Sequence, residues 1–202
     1  MQRKLWAVAI LTVALIFSAR TEAIMVMSFT VEELTARAEK VFVGTCTNVS
    51  HRVNEQGIPV IEVTFAVTET VKGEVSTTVT FQQLDAQAQS SPQPAAANDL
   101  IRENPQGIFA AAAIAGLPTY VPGEEVLLFL AAPGKLGLTA PIGLTQGKLP
   151  VSTLASGERV ITNTALRKTR LTNPTLPDPG KTAKYDQFLK VIRTLTQPAQ
   201  SK

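Results

Sequence analysis

The sequence predicts a mainly β protein in which antiparallel strands close into a barrel, with a short helix ahead of them and an amphipathic helix behind. Three observations predict this. Residues 30–83 carry a helical pattern followed by segments that alternate apolar and polar side chains. Polar turns at 54–57 and 72–74 separate those segments at hairpin spacing. Further on, the run VLLFLA at 126–131 is apolar without alternation, as in a strand covered on both faces.

In chain order, the first segment reads as a secretory signal peptide. Arg3 and Lys4 precede an apolar run from Leu5 to Phe17, and small-residue sites follow at 17–19 and 21–23. Cleavage is expected after Ala23, with Ala19 as second choice; an uncleaved N-terminal anchor is the competing reading of the same residues. The run is shorter than the about 20 residues a membrane span needs. The expected location is therefore secreted or periplasmic.

Residues 24–28 are a short apolar lead-in. Thr30 and Glu33 then have capping-box spacing, and Val31, Leu34, Ala38 and Val41 form one stripe at helical period. A helix of about three turns is expected to lead into a strand at 41–49. In the next segment Ile61, Val63, Phe65, Val67 and Val71 share one face, and Glu62, Thr64, Ala66, Thr68 and Thr70 the other. Glu69 is the one charge on the apolar face. After the turn, Val75, Thr77, Val79 and Phe81 resume that face.

Between 85 and 119 the composition changes to Gln, Ala, Pro and Ser. A connection of this length is functional or without regular structure. A helical turn at 98–103 and an apolar stretch at 109–116, lying against the barrel, are expected inside it. Order returns at Tyr120, and short strands are expected at 137–142, 147–151 and 159–163, the last hairpin turning at Ser156 and Gly157. Residues 24–165 thus form the barrel domain and 166–180 a proline-rich linker. Residues 181–202 form a helix and tail in which Tyr185, Phe188, Leu189, Ile192 and Leu195 fall at helical spacing.

Removing the leader takes Arg3, Lys4, Arg20 and Glu22 from the 19 basic and 16 acidic side chains, leaving 16 and 15. A nearly neutral chain lacks the basic field that nucleic acid attracts. The tail from Arg167 holds eight basic and two acidic side chains. They are dispersed, so a solvated helix face is the simpler reading and membrane contact through this helix the sharper one.

Known chemistries find little footing. The single Cys46 permits no internal disulfide and reads as a small buried residue. The only imidazole, His51, reads as an exposed loop histidine beside Arg52. One His and one Cys are too few for the usual zinc sets. GLTQGKL at 143–149 has the wrong glycine spacing for a phosphate loop, and Leu149 stands where Ser or Thr would hold magnesium. Adjacent carboxylates at Glu32–Glu33 and Glu124–Glu125 point apart on regular structure. No cofactor and no metal are expected, and no catalytic residue is assigned.

Several motifs in order carry a resemblance: AEKVFVGT at 38–45, ETVKG ending the long strand at 69–73, and PGEEVLLFL at 122–130. In these the chain resembles the netrin-module and metalloproteinase-inhibitor superfamily, and is similar to a set of secreted bacterial proteins with the same motif order. The resemblance covers residues 30–83 and 117–151. It implies an OB-like five-stranded, or slightly larger, antiparallel Greek-key barrel with helices at its ends. Inhibition does not carry over, because those inhibitors chelate zinc through a disulfide-bonded N-terminal cysteine and the only cysteine here is internal.

The expected function is a secreted, non-enzymatic binding module presenting a barrel face or the 85–119 loop to an envelope or extracellular protein or glycan. The candidate binding residues are Glu69, Phe109 in the loop and Tyr120 where order returns. The alternatives are a hydrolase using carboxylates from different strands, around Glu62, Glu69 or Glu125, and a scaffold whose loop is only a spacer.

Overall fold

The computed structural model describes residues 29–85, 116–162 and 182–197. The expected leader, the lead-in at 24–28, the helical turn at 98–103, Phe109 and the linker at 166–180 lie outside them. Within them are two helices and seven strands. These are α1 (Val31–Arg37), β1 (Lys40–Val53), β2 (Pro59–Lys72), β3 (Thr78–Leu84), β4 (Glu125–Leu130), β5 (Lys148–Thr153), β6 (Arg159–Thr162), β7 (Thr182–Lys184) and α2 (Tyr185–Thr196).

α1 starts where the spacing places it. The Thr30 hydroxyl accepts the Glu33 N–H at 3.1 Å, and the Glu33 carboxylate accepts the Thr30 N–H at 2.9 Å. The helix has seven residues, two turns rather than three. Its exposed carbonyl end is met by Lys72 of β2, whose ammonium donates to Thr35 O at 2.6 Å, Ala36 O at 3.2 Å and Ala38 O at 2.7 Å. A cation at a helix C-terminus satisfies carbonyls that have no partner within the helix. Immediately after Lys72, Gly73 (φ +79°) turns the chain, and a Cβ there would lie 2.5 Å from Glu39 O.

The strands form one antiparallel sheet in the order β3-β2-β1-β4-β5-β6-β7. The mainly β, antiparallel expectation holds, but the sheet has seven strands and is not closed. Two differences account for this. The strand expected at 159–163 forms as β6, but beyond it β7 extends the sheet over residues expected to begin the last helix. The segment expected as a strand at 137–142 makes isolated bridges instead: Gln82 with Leu138 in parallel and Leu130 with Pro141 in antiparallel. Around these bridges Thr139 N–H donates to Gln82 O at 2.8 Å and Ile142 N–H to Phe129 O at 2.8 Å.

β1 and β4 are covered on both faces. On one face Val41, Val43, Leu127 and Phe129 join Leu34 of α1 and Phe188, Leu189 and Ile192 of α2 in a helix-side core. On the other, Phe42, Cys46, Val126 and Leu128 join Val63, Phe65, Val79, Phe81 and Tyr120 in an interior core. Five of the six β4 residues are buried, as the unbroken apolar run predicts.

The faces of β2 change partway along. Val43 lies opposite Glu69 and Gly44 opposite Val67, so Thr68 has no residue across from it; its hydroxyl donates to Val43 O at 3.2 Å. This β-bulge changes which side the following residues take. Val67 packs on the interior core, whereas Glu69, two residues on, meets α2 on the helix side.

Candidate functional site

Two polar clusters stand out against the apolar framework, one at the sheet end where β1 and β2 outrun β4, the other under α2.

At the sheet end, His51 lies opposite Ile61 and Ile61 opposite Gln83, and Asp85 follows two residues beyond Gln83. The alternation that buries Val79 and Phe81 therefore carries Gln83 and Asp85 onto the same inward face. Gln83 is 2% and Asp85 6% exposed. His51 Nδ1 lies 2.7 Å from Asp85 Oδ2, with the imidazole 56% exposed. Asp85 N–H donates to Pro59 O at 3.1 Å, tying the end of β3 to β2. A buried amide needs partners on both atoms; here Gln83 Nε2 donates to Pro118 O at 3.1 Å and its Oε1 accepts the Tyr120 hydroxyl at 3.3 Å.

Tyr120, a predicted binding residue, is 7% exposed and fills the interior. Its ring meets those of Phe65 and Phe81 edge-on, each at 5.8 Å, and the Lys148 ammonium lies 4.8 Å from its centroid. Burial first, and then the Glu124 charge, push its phenol well above the ordinary range. Burial, with Glu124 again second, also raises the Cys46 thiol. Cys46 is thus the buried residue expected, kept in its unreactive protonated form.

Glu69, the misplaced charge of the sequence, is satisfied within the fold. It accepts the Tyr185 hydroxyl at 2.8 Å and pairs with Arg193. The Arg159 guanidinium lies 3.8 Å over the Tyr185 ring and pairs with Glu125 at 2.7 Å. These side chains fasten α2 across β2, β4 and β6. A hollow of about 530 Å³ opens beside Tyr185 at the start of α2, and two of its charges, Glu158 and Lys184, pair with each other at 2.8 Å. The third carboxylate considered for hydrolysis, Glu62, pairs with Arg52 and accepts from Gln82 Nε2 at 3.4 Å.

Burial and the bond to Glu69 push the Tyr185 phenol up to about 12. A raised folded-state value favours the protonated phenol, so this stabilisation is complete below the ordinary tyrosine range near 10 and is lost as pH rises through about 12. The stability difference between the protein and Tyr185→Phe should therefore be constant to about pH 9.5 and shrink above it. Denaturant titrations across that range measure it.

The sequence reading puts His51 at the end of the first strand beside Arg52, next to the turn, and Asp85 at the start of the long loop. β1 instead runs on to Val53, and pleating puts His51 and Arg52 on opposite faces. The usable signal was the continued alternation Val79, Phe81, Gln83, Asp85. Phe109 lies outside the described residues. Of the tail's basic side chains, Lys184 and Arg193 pair with Glu158 and Glu69, while Lys190 is on the exposed face of α2.

Among the described residues, no group of three or more His, Cys, Asp or Glu could hold a metal, and no helix is long and apolar enough to cross a membrane. No family model, curated protein or solved structure matches the chain.

Proposed function

We propose that this chain is a secreted binding module whose engagement surface is the sheet end around His51, Asp85, Gln83 and Tyr120. The observation that carries the reading is convergence. Buried polar groups, costly in an apolar interior, gather where the chain leaves the sheet at Asp85 and comes back at 116–121, the two roots of the 86–115 stretch. The partner is an envelope or extracellular protein or glycan, reached after leader removal. One further feature favours binding over hydrolysis: Glu62, Glu69 and Glu125 are each engaged by a basic side chain of the fold, Arg52, Arg193 and Arg159, so their oxygens are occupied in ion pairs.

The finer architecture belongs to the same proposal. Residues 138–142 touch both β3 and β4, with a parallel bridge to the first and an antiparallel one to the second. That arrangement supports an OB-like ring in which this segment and β5 together serve as one interrupted strand. The netrin-type resemblance is consistent with it.

Replacing residues 86–115 by a short Gly-Ser linker tests the function. Crosslinking of the mature protein in its own envelope should lose its specific products while the melting temperature stays within about 2 °C, the scale of a sub-kcal change. Unchanged products would remove the loop from the binding role. Activity lost on mutating Glu62, Glu69 or Glu125 with stability intact would restore the hydrolase.

A further inference from the structure

We infer that residues 116–121 form a plug that leaves the interior while the sheet stays folded. The inference concerns the same sheet end and rests on the reading just given for it, but adds a conformational device. Every other member of the interior core is a strand residue, whereas Tyr120 enters from an irregular segment. Its neighbour Val121 is 61% exposed. Among the described residues, no ladder hydrogen bond joins 117–121 to a strand.

What holds the segment is side chains. Gln83 binds both Pro118 O and the Tyr120 hydroxyl. Lys148 donates to Thr119 O, pairs with Glu124 at 2.7 Å and faces the Tyr120 ring. Glu124 accepts the Val121 N–H at 2.9 Å. Opening therefore breaks contacts to three side chains and exposes one aromatic ring, without unzipping any β-pairing. Units with few backbone bonds to the rest open at a lower free energy than the whole. The slot left behind is lined by Phe65 and Phe81, whose rings meet that of Tyr120, and it adjoins Gln83 at the sheet end proposed to engage the partner. Engagement and plug position are thereby linked.

Cys46, the only cysteine, reports on this opening because its thiol is buried in the same interior core as the Tyr120 ring. Labelling of the native full-length mature protein with N-ethylmaleimide should proceed at a rate nearly insensitive to low guanidinium. Lys148→Met and Gln83→Leu should each speed it at least tenfold, with global stability falling by no more than that same factor and the rate still nearly insensitive to low guanidinium. Leu189→Ala, in the helix-side core, should lower the midpoint and speed labelling only as global unfolding increases. Labelling that follows global unfolding in all four proteins overturns the plug, as do Lys148→Met and Gln83→Leu rates equal to the parent's. Failure of the envelope crosslinking leaves these rates untouched, so the two ideas fail separately.

Discussion

Leu127→Glu and Leu128→Glu should each abolish folding, although the two side chains point to opposite faces of β4. Leu127 packs in the helix-side core and Leu128 in the interior core, both without solvent exposure. A carboxylate placed at either position is buried without a partner, at a cost of several kcal/mol even after it takes up a proton. Domains are stable by only about 5–15 kcal/mol in all. A strand with one wet face would tolerate one of the pair. Circular dichroism and denaturant titration of the two variants decide it: a folded, cooperative protein from either would mean that its face of β4 is not covered.

The second large effect is expected at Phe65. Its ring meets Phe42 at 5.9 Å, Phe81 at 6.2 Å and Tyr120 at 5.8 Å, with no exposed surface. Truncation to alanine removes the hub of this aromatic group and leaves a cavity that paired strands fill poorly. The expected loss is about 3–5 kcal/mol, the usual range for Phe→Ala in a core. A loss under about 1 kcal/mol, the scale of a surface substitution, would mean that the interior repacks freely. Because Phe65→Ala also loosens the seat of Tyr120, it should raise Cys46 labelling beyond what its change in global stability accounts for.

Much of this architecture is written locally. Alternation at 61–67 and 79–85, the Thr30–Glu33 capping box and the unbroken run of β4 each occupy neighbouring residues, and each reports burial of a strand face or helix stripe. The candidate site was less legible. Tyr120 is recognisable as an aromatic beside the long loop, but its direction depends on Gln83 and Lys148, 37 and 28 residues away. β7 is not legible because three residues continuous with a helical stripe carry no strand signal of their own. They become a strand because the Ile161 edge offers Ala183 a pairing partner.

Apolar strand faces and helix stripes are legible in the chain itself, since desolvation acts on each residue according to its own chemistry and the period of its segment. Which charges meet follows from the assembled fold. Glu69 reads as an error in the alternation until the bulge at Thr68 turns it toward Tyr185 and Arg193, 116 and 124 residues away. His51 has no acidic neighbour in the chain until the curl of β1, β2 and β3 brings Asp85 to it. Pairings of that kind depend on register, bulges and sheet curvature, and these are set by the packing of the whole fold.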